Sequence, residues 1–435
     1  MCGYLITTEP AGNPLTHRGV SFKKSWVAGY HVVFNSLPLC TYGTGLEQPL
    51  HTSRYTILFN GEIFNYKKLD PEATSDLHYL ANLVEDMDFL ALYHESVKWD
   101  GFWALTLIEP NGDISLFTDP LGKKQLYYNA TEICSEIRPL LGRVSRYQVY
   151  DERAFLTPST NFSDVFRARP GLLYRSQGNS WLTVWAHQYY PGLSFPGPTI
   201  RRSPTLMDAI RESVHSRLEN KYDGISLFLS GGLDSNIVLH HVLEVTRNVE
   251  VLSLANSGEK DNILRACDHH KVEPRFLSEE YTTKDLVRAV THYEHSLDYG
   301  SLISNYLLFR GATHSLVLTG DGADELFSGY KRALERDTWE YDVFQELPYY
   351  HNIRLDRMSM MFTKEARSPL MSYYMLQESR KLPWSERRGK KALRETYKGI
   401  LPDFITQGVK VPLRHGGDKQ KNRTLIREIH QTLFQ

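Results

Sequence analysis

The stretch SLFLSGGLDSN, residues 226–236, constrains the fold of this chain more than any other. An apolar run ends in Ser230-Gly231-Gly232, the helix-like SNIVLHHVLEVT follows, and then comes the apolar VEVLSLA. Strand, glycine-rich turn, helix and strand in that order make a βαβ unit and require a parallel sheet. The glycines let the turn bring backbone N–H groups against an anion, and the helix start adds the positive end of its dipole. Ser230 and Ser235 add hydroxyl donors, and Asp234 is suited to reach a Mg2+ that neutralises polyphosphate. The loop lacks the Gly-Lys-Ser/Thr of a Walker loop, so γ-phosphate transfer is not its natural chemistry.

A second apolar run, in LVLTGDGADELFSGY (residues 316–330), ends in Thr319-Gly320-Asp321-Gly322 and leads to Asp324 and Glu325. Ligands collect at the carboxyl ends of parallel strands, so two glycine-rich strand ends are expected to face one crevice. Asp321 and Asp324 are suited there to ligate Mg2+ or to position an amine or ribose. A helix is predicted from about Thr205 to Asn220.

The first half reads differently, as short strands and turns: HVVFNSLPL, RYTILFNGEIF, GFWALTLIEPNGDISLFTD and KQLYYN. Asn111-Gly112-Asp113 marks a hairpin, because Asn and Gly tolerate the positive φ of a tight turn. DLHYLANLVEDM predicts a helix with Ser75 as N-cap. A Pro-, Gly- and Ser-rich stretch from 192 to 204 reads as a linker, and 435 residues are too many for one ordinary core. Two domains are expected.

Hydrophobic residues make up 41% and charged residues 23%, with a formal net charge of -1, so neither nucleic acid nor an anionic membrane is attracted in bulk. Any polyanion must be held locally. Cys2, Cys40, Cys134 and Cys267 form no CxxC pair, which argues against a zinc cluster or a disulfide framework and fits a reducing compartment. The first ten residues carry no signal-peptide pattern, and no apolar stretch is long enough to span a membrane. A cytoplasmic protein without membrane or direct nucleic-acid contact is expected.

Cys2 stands directly behind the initiator methionine. Removal of Met1 would leave an α-amine of pKa about 8 beside a thiol of pKa about 8.5, placing base and nucleophile on one residue.

The Ser-Gly-Gly-Leu-Asp-Ser loop resembles the PP-loop of ATP pyrophosphatases, which cleave ATP between the α- and β-phosphates. With Met1-Cys2-Gly3, His17-Arg18-Gly19 and Asn60-Gly61-Glu62-Ile63-Phe64-Asn65, the chain resembles the glutamine-dependent asparagine synthetase family from Met1 to about residue 415. Ser75-Asp76, Asp119-Pro120-Leu121-Gly122, Cys134-Ser135-Glu136-Ile137, Tyr293-Glu294-His295, Arg357-Met358-Ser359-Met360, Glu365-Ala366-Arg367-Ser368-Pro369-Leu370 and Gly389-Lys390 continue the match in order.

The resemblance implies an α/β protein. An N-terminal αββα Ntn-hydrolase sandwich of the class II glutamine amidotransferase type (1–190) and a linker (191–204) precede a PP-loop ATP pyrophosphatase domain with a parallel sheet (205–435). It implies Cys2 as nucleophile, Asn60 and Gly61 as oxyanion hole, and Glu62 and Asp76 as further glutamine-binding groups. Leu229, Ser230, Gly231, Gly232, Leu233, Asp234, Ser235, Ser253, Thr319, Gly320 and Asp321 would hold ATP and pyrophosphate. Asp321, Asp324 and Glu325 would face the acceptor, Asp234 and Asp324 would hold Mg2+, and Lys390, with Lys391 as its rival, would be the catalytic cation.

Implied substrates are glutamine, ATP and aspartate, with a homodimer as an admissible assembly. The alternatives are amidation of another carboxylate, on an amino-acid-like metabolite or a nucleobase precursor, and a non-catalytic scaffold. There are departures from the family pattern. The arginine that clamps the glutamine carboxylate is replaced by Asn35-Ser36-Leu37-Pro38-Leu39, which leaves Arg18 as a substitute. Thr118 and Gln407 also stand where the family has arginine, and Val20 where it has proline. The second half is shorter than the resemblance leads one to expect, so trimmed acceptor loops are anticipated.

Overall fold

The computed structural model describes residues 2–37, 39, 47–142, 145–147, 160–177, 180–186, 204–219, 222–255, 258–295, 301–330, 334, 347, 351–408 and 419–434. Cys40 and nearly all of the expected linker, 191–203, lie outside them.

Strands β1 (Gly3–Thr7), β2 (Ser21–Val27), β3 (Tyr30–Ser36), β8 (Tyr127–Tyr128), β9 (Ile133–Cys134) and β10 (Phe166–Arg167) make one antiparallel sheet in the order β10-β8-β9-β1-β3-β2. A second contains β4 (Leu50–His51), β5 (Thr56–Ile63), β6 (Gly101–Ile108), β7 (Ile114–Thr118), β11 (Leu172–Gln177) and β12 (Ser180–Ala186), in the order β12-β11-β7-β6-β5-β4.

Side chains alternate along a strand, and this alternation builds the layers. Tyr4, Ile6, Val32 and Phe34 of the first sheet pack on Leu58, Ala104 and Leu116 of the second. Ile57 and Phe59 point the other way, under Leu77, Leu80, Leu92 and Tyr93 of helices Asp76–Asp86 and Phe89–Glu95. The outer face of the first sheet, with Leu5 and Val33, is covered by Ile137, Leu140, Val165 and Phe434 of the last helix.

Local signals act where the residues predict. Gly112 has φ +90 in the β6–β7 turn, and the Ser75 hydroxyl accepts from the His78 N–H at 3.1 Å. KQLYYN yields only the two-residue β8, because its start is drawn into a turn around Asp119. The Asp119 carboxylate accepts from the backbone N–H groups of Leu121, Lys123 and Lys124 at 3.0–3.1 Å.

In the second half β13 (Ile225–Phe228), β14 (Val249–Leu254), β15 (Pro274–Leu277), β16 (Leu316–Leu318) and β17 (Glu365–Arg367) form a parallel sheet ordered β15-β14-β13-β16-β17. One face carries Ile225, Leu227 and Leu318 under helices Leu206–Ser216 and Leu233–Val245. The other carries Leu252 and Val317 under helices Thr283–Tyr293, Leu302–Gly311 and His351–Met360. The helix predicted from Thr205 to Asn220 stops at Ser216. Arg217 leaves it to form a two-pronged pair with Asp100 of the first half, both bonds 2.6 Å. Strand order reverses between β13 and β16, the switch point at which open α/β sheets bind ligands.

Candidate active site

Parity along two strands brings Cys2 and Asn60 together. Cys2 lies in register with Tyr4 and Ile6, Asn60 with Leu58, and both sets face the space between the sheets. The Cys2 nitrogen donates to Asn60 Oδ1 at 3.0 Å. Asn60 Nδ2 is buried and has no hydrogen-bond partner among the described residues. An unpaired buried amide costs about 1–3 kcal/mol, and beside the thiol this one is a donor open to a ligand. At Gly61 a Cβ would lie 2.2 Å from the Phe102 carbonyl oxygen, so only glycine lets β5 pass β6 here.

Burial pushes the Cys2 thiol up, while hydrogen bonds from Leu37 and Ser36 pull the other way. The thiol therefore needs a base. Asp76, the first residue of its helix, accepts from Ile63 N at 3.2 Å and Leu77 N at 2.8 Å, which fixes it at the end of β5. Glu62 is pushed well above the usual carboxylate range by burial, Glu365 and Asp76. Cys2, Asn60, Gly61, Glu62 and Asp76 thus share one buried locus.

Arg18 does not present itself to a ligand there. It is fully buried, and its Nε donates to the Cys2 carbonyl at 3.3 Å, Nη1 to Glu136 at 2.8 Å and Nη2 to Asp356 at 2.9 Å. A guanidinium held on three sides has no edge left for a substrate carboxylate. At the position of the family's clamp, Asn35 and Asn13 exchange amide hydrogen bonds of 2.8 and 3.0 Å.

The second locus lies at the switch point. The helix after β13 starts at Gly232 with no side-chain cap, which leaves its first N–H groups open to an anion. Within the loop, Ser235 Oγ accepts from Ser230 N at 3.0 Å, and Ser230 Oγ accepts from Gly232 N at 3.2 Å. The second motif presses against the first: a Cβ on Gly320 would lie 2.6 Å from Ser235 N. Leu229 continues β13, its N–H bonded to the Leu252 carbonyl at 2.8 Å, and Ser253 Oγ is buried without a partner among the described residues. Thr319 Oγ1 pairs with Ser368 Oγ at 2.9 Å.

Lys390 joins the two motifs. Its Nζ donates to both Asp234 oxygens at 2.8 and 2.6 Å and lies 2.6 Å from Asp324 Oδ1. Gly389 and Lys390, at φ +64 and +61, turn the backbone so that the side chain enters the crevice. A Cβ on Gly329 would lie 2.0 Å from Asp324 Oδ1 and 2.2 Å from Lys390 Cε, so glycine is required beside the pair. Lys391, the rival, is exposed. Glu325 accepts from the Tyr330 hydroxyl and lies 3.7 Å from His351. Asp321 is half-buried at the crevice mouth, beyond Gly320.

Sequence reasoning, which assigns the segments around residues 119–128 and 134–137 to fold and domain contact, does not name the groups between the loci as site residues. Asn236 locks the loop, its Nδ2 donating to the Ser230 and Gly232 carbonyls at 3.2 and 2.7 Å; its signal was an amide set inside an apolar helix. Phe102, Lys123, Lys124, Asn352, Leu355, Asp356, Ala366 and Ser368 line a small cavity with contributions from both halves. The Lys124 Nζ donates to Asp356 at 2.7 Å. Arg357 lies 3.1 Å from Glu136 and 3.2 Å from Glu294.

An antiparallel sandwich with a thiol-and-amide site, joined to a parallel sheet with a glycine-rich strand-end loop, defines a two-domain protein of the glutamine amidotransferase and PP-loop kind. The glutamine amidotransferase domain model matches residues 6–185, and the asparagine synthase model matches 205–352 and 340–435. The chain belongs to the asparagine synthase family. It is 25% identical over 333 residues to asparagine synthetase [glutamine-hydrolyzing] 1 of Bacillus subtilis, covering 69% of this chain and 52% of that protein. It is 26% identical over 443 residues to asparagine synthetase [glutamine-hydrolyzing] of Rattus norvegicus, covering 86% and 75%. A putative asparagine synthetase [glutamine-hydrolyzing] of Mycobacterium tuberculosis is 23% identical over an alignment of 456 residues, covering 93% and 69%. The matched region is thus about half the length of the Bacillus subtilis protein. Among the described residues no helix is long and apolar enough to cross a membrane.

Proposed function

We propose that this chain is a glutamine-hydrolysing asparagine synthetase, with a glutaminase domain over 1–190, a linker over 191–204 and a synthetase domain over 205–435. The observation that carries the reading is Asn60, whose oxygen accepts from Cys2 while its buried Nδ2 stays unpaired.

Once Met1 is removed, the Cys2 nitrogen becomes an α-amine that takes the thiol proton, and the thiolate attacks the glutamine amide carbon. Asn60 Nδ2 and the Gly61 N–H stabilise the oxyanion, each well-placed donor contributing about 3 kcal/mol. Ammonia leaves, and water then clears the glutamyl thioester. Asp76 holds the substrate's α-amino group and Glu62 lines the same pocket.

In the second domain the aspartate side-chain carboxylate attacks the α-phosphorus of ATP, and the loop from Ser230 to Ser235 receives the departing pyrophosphate. The product is an acyl-adenylate that ammonia converts to asparagine and AMP. Lys390 Nζ fills the point on which Asp234 and Asp324 converge. With that ammonium turned toward the phosphate, the two carboxylates would offer Mg2+ the hard oxygen donors it requires, with Asp321 and Glu325 toward the acceptor. Bound there, it would neutralise polyphosphate charge. Lys390, which pairs with the two carboxylates in this structure, would supply its positive charge at the reacting phosphate.

Ammonia must cross unprotonated. The small cavity between the halves is lined by Phe102, Leu355 and Ala366 but also by Lys123, Lys124 and Asp356, the last two paired at 2.7 Å, so an ammonia path through it would be apolar only in part.

ATP–pyrophosphate exchange screened across candidate carboxylates tests the acceptor. Exchange that depends on aspartate is the expected result. Exchange with a different carboxylate and none with aspartate would move the assignment to another amidation.

A further inference from the structure

Outside both loci, two adjacent helices of the synthetase half bring three metal-binding side chains together. His215 lies in the last turn of helix Leu206–Ser216, and His241 and Glu244 stand three apart on helix Leu233–Val245. His215 Nε2 and His241 Nδ1 each lie 3.0 Å from the same oxygen, Glu244 Oε2. The three ligand atoms fall within 4.8 Å of one another. A zinc ion bound at about 2.0–2.1 Å to nitrogen and oxygen needs ligand atoms about 3.3 Å apart, so the cluster closes on an ion with small side-chain shifts.

We propose that His215, His241 and Glu244 form a binding site for a divalent ion of the zinc class, with a fourth position left to water.

A second observation supports this use. The far ring nitrogen of His241, Nε2, lies 2.6 Å from the hydroxyl of Tyr397, itself fully buried. Ligating histidines are typically oriented by such a bond on their other nitrogen. With its proton on Nε2, donated to Tyr397 Oη, His241 offers the Nδ1 lone pair to the ion.

The competing cation is Arg211, which donates to Glu244 at 3.1 and 3.3 Å. Its side chain is 39% exposed and already reaches Asp208 at 3.3 Å, so it has a partner to withdraw to. The other such group among the described residues, His17, Glu136 and His292, lacks this freedom: Arg18 and Arg357, both buried, lie 2.8 and 3.1 Å from Glu136 Oε1.

The site would tie the helix that begins at the phosphate loop to Tyr397, at the end of helix Lys391–Thr396 that follows Lys390. Binding of the ion itself does not depend on the proposed reaction.

The test is equilibrium dialysis of the full chain against zinc chloride with metal analysis, alongside His215→Ala, Glu244→Gln, Tyr397→Phe and, as a control, His51→Ala. The wild type and His51→Ala are expected to retain one zinc ion per chain, His215→Ala and Glu244→Gln none, and Tyr397→Phe to bind at least about tenfold more weakly. His215 is partly exposed, so its alanine variant is expected to fold; circular dichroism and a thermal melt confirm this for each protein. Failure of the wild type to retain zinc, or equal retention by a folded His215→Ala protein, would overturn the proposal. The outcome is independent of asparagine formation, which is assayed separately.

Discussion

Single residues divide the chemistry between them, and each division has its own signature. Asn60→Ala removes the unpaired donor and the acceptor of the Cys2 nitrogen together. Glutaminase kcat is expected to fall about 10²–10³-fold, as for other oxyanion donors, with a smaller change in KM. A steady-state assay of glutamate release checks it, and a change confined to KM would contradict the oxyanion role. Cys2→Ala is expected to abolish glutamine hydrolysis and spare ammonia-supported pyrophosphate release.

Lys123 gives a pH signature. Burial, Arg217 and Lys124 push its ammonium down to about 7 against the pull of Asp119. Its unfolded value is about 10.4, so between pH 7 and 10 the unfolded chain binds more protons and stability rises with pH. The burial penalty of the charged lysine is thus complete below about pH 7 and gone above about pH 10. Lys123→Met is expected to flatten that slope in denaturant titrations at pH 7, 8 and 9. Its advantage should be largest at pH 7, offset in part by the lost bond to the Met371 carbonyl at 3.2 Å.

At the level of elements, the strand-turn-helix around Ser230, the hairpin at Gly112 and the Ser75 cap were legible because each is written in consecutive residues. The meeting of Cys2 with Asn60 was legible through the family resemblance alone; strand parity explains it only once the two sheets are known to pack. Lys390 illustrates the limit. Its distance from Asp234, 156 residues along the chain, hides the pairing, and two successive left-handed residues aim it.

Lys390→Met would leave Asp234 and Asp324 without their common partner. Breaking a buried pair in this way costs about 3–5 kcal/mol. The side chains of Lys390, Asp234 and Asp324 are only 6%, 15% and 6% exposed, so most of that cost is expected in the midpoint of a denaturant titration. ATP–pyrophosphate exchange should disappear while glutamine hydrolysis continues, which separates the variant from a general loss of folding.

Across the whole molecule, the two halves meet through charges whose pairing no local pattern announces. Arg18 touches the carbonyl of Cys2 and, 338 residues away, Asp356. Asp356, despite burial, is held well below the usual carboxylate range by Arg18 and Lys124. Buried ion pairs are weak sources of net stability but fix one register over others, so their natural role here is to hold the two loci in alignment. Arg18→Met is expected to lower the thermal midpoint and to let glutamine be hydrolysed without matching amide formation. The ratio of glutamate to AMP would then rise above that of the wild type; an unchanged ratio in a folded variant would remove Arg18 from the coupling.

The measurement that bears most directly on the central claim uses amide-labelled glutamine, aspartate and Mg·ATP in the presence of excess unlabelled ammonium, with the products followed by mass spectrometry. Labelled asparagine formed in step with AMP and pyrophosphate, and absent from the Cys2→Ala protein, is the predicted result. Glutamate release no greater than that of Cys2→Ala, or ADP and phosphate in place of AMP and pyrophosphate, would contradict it.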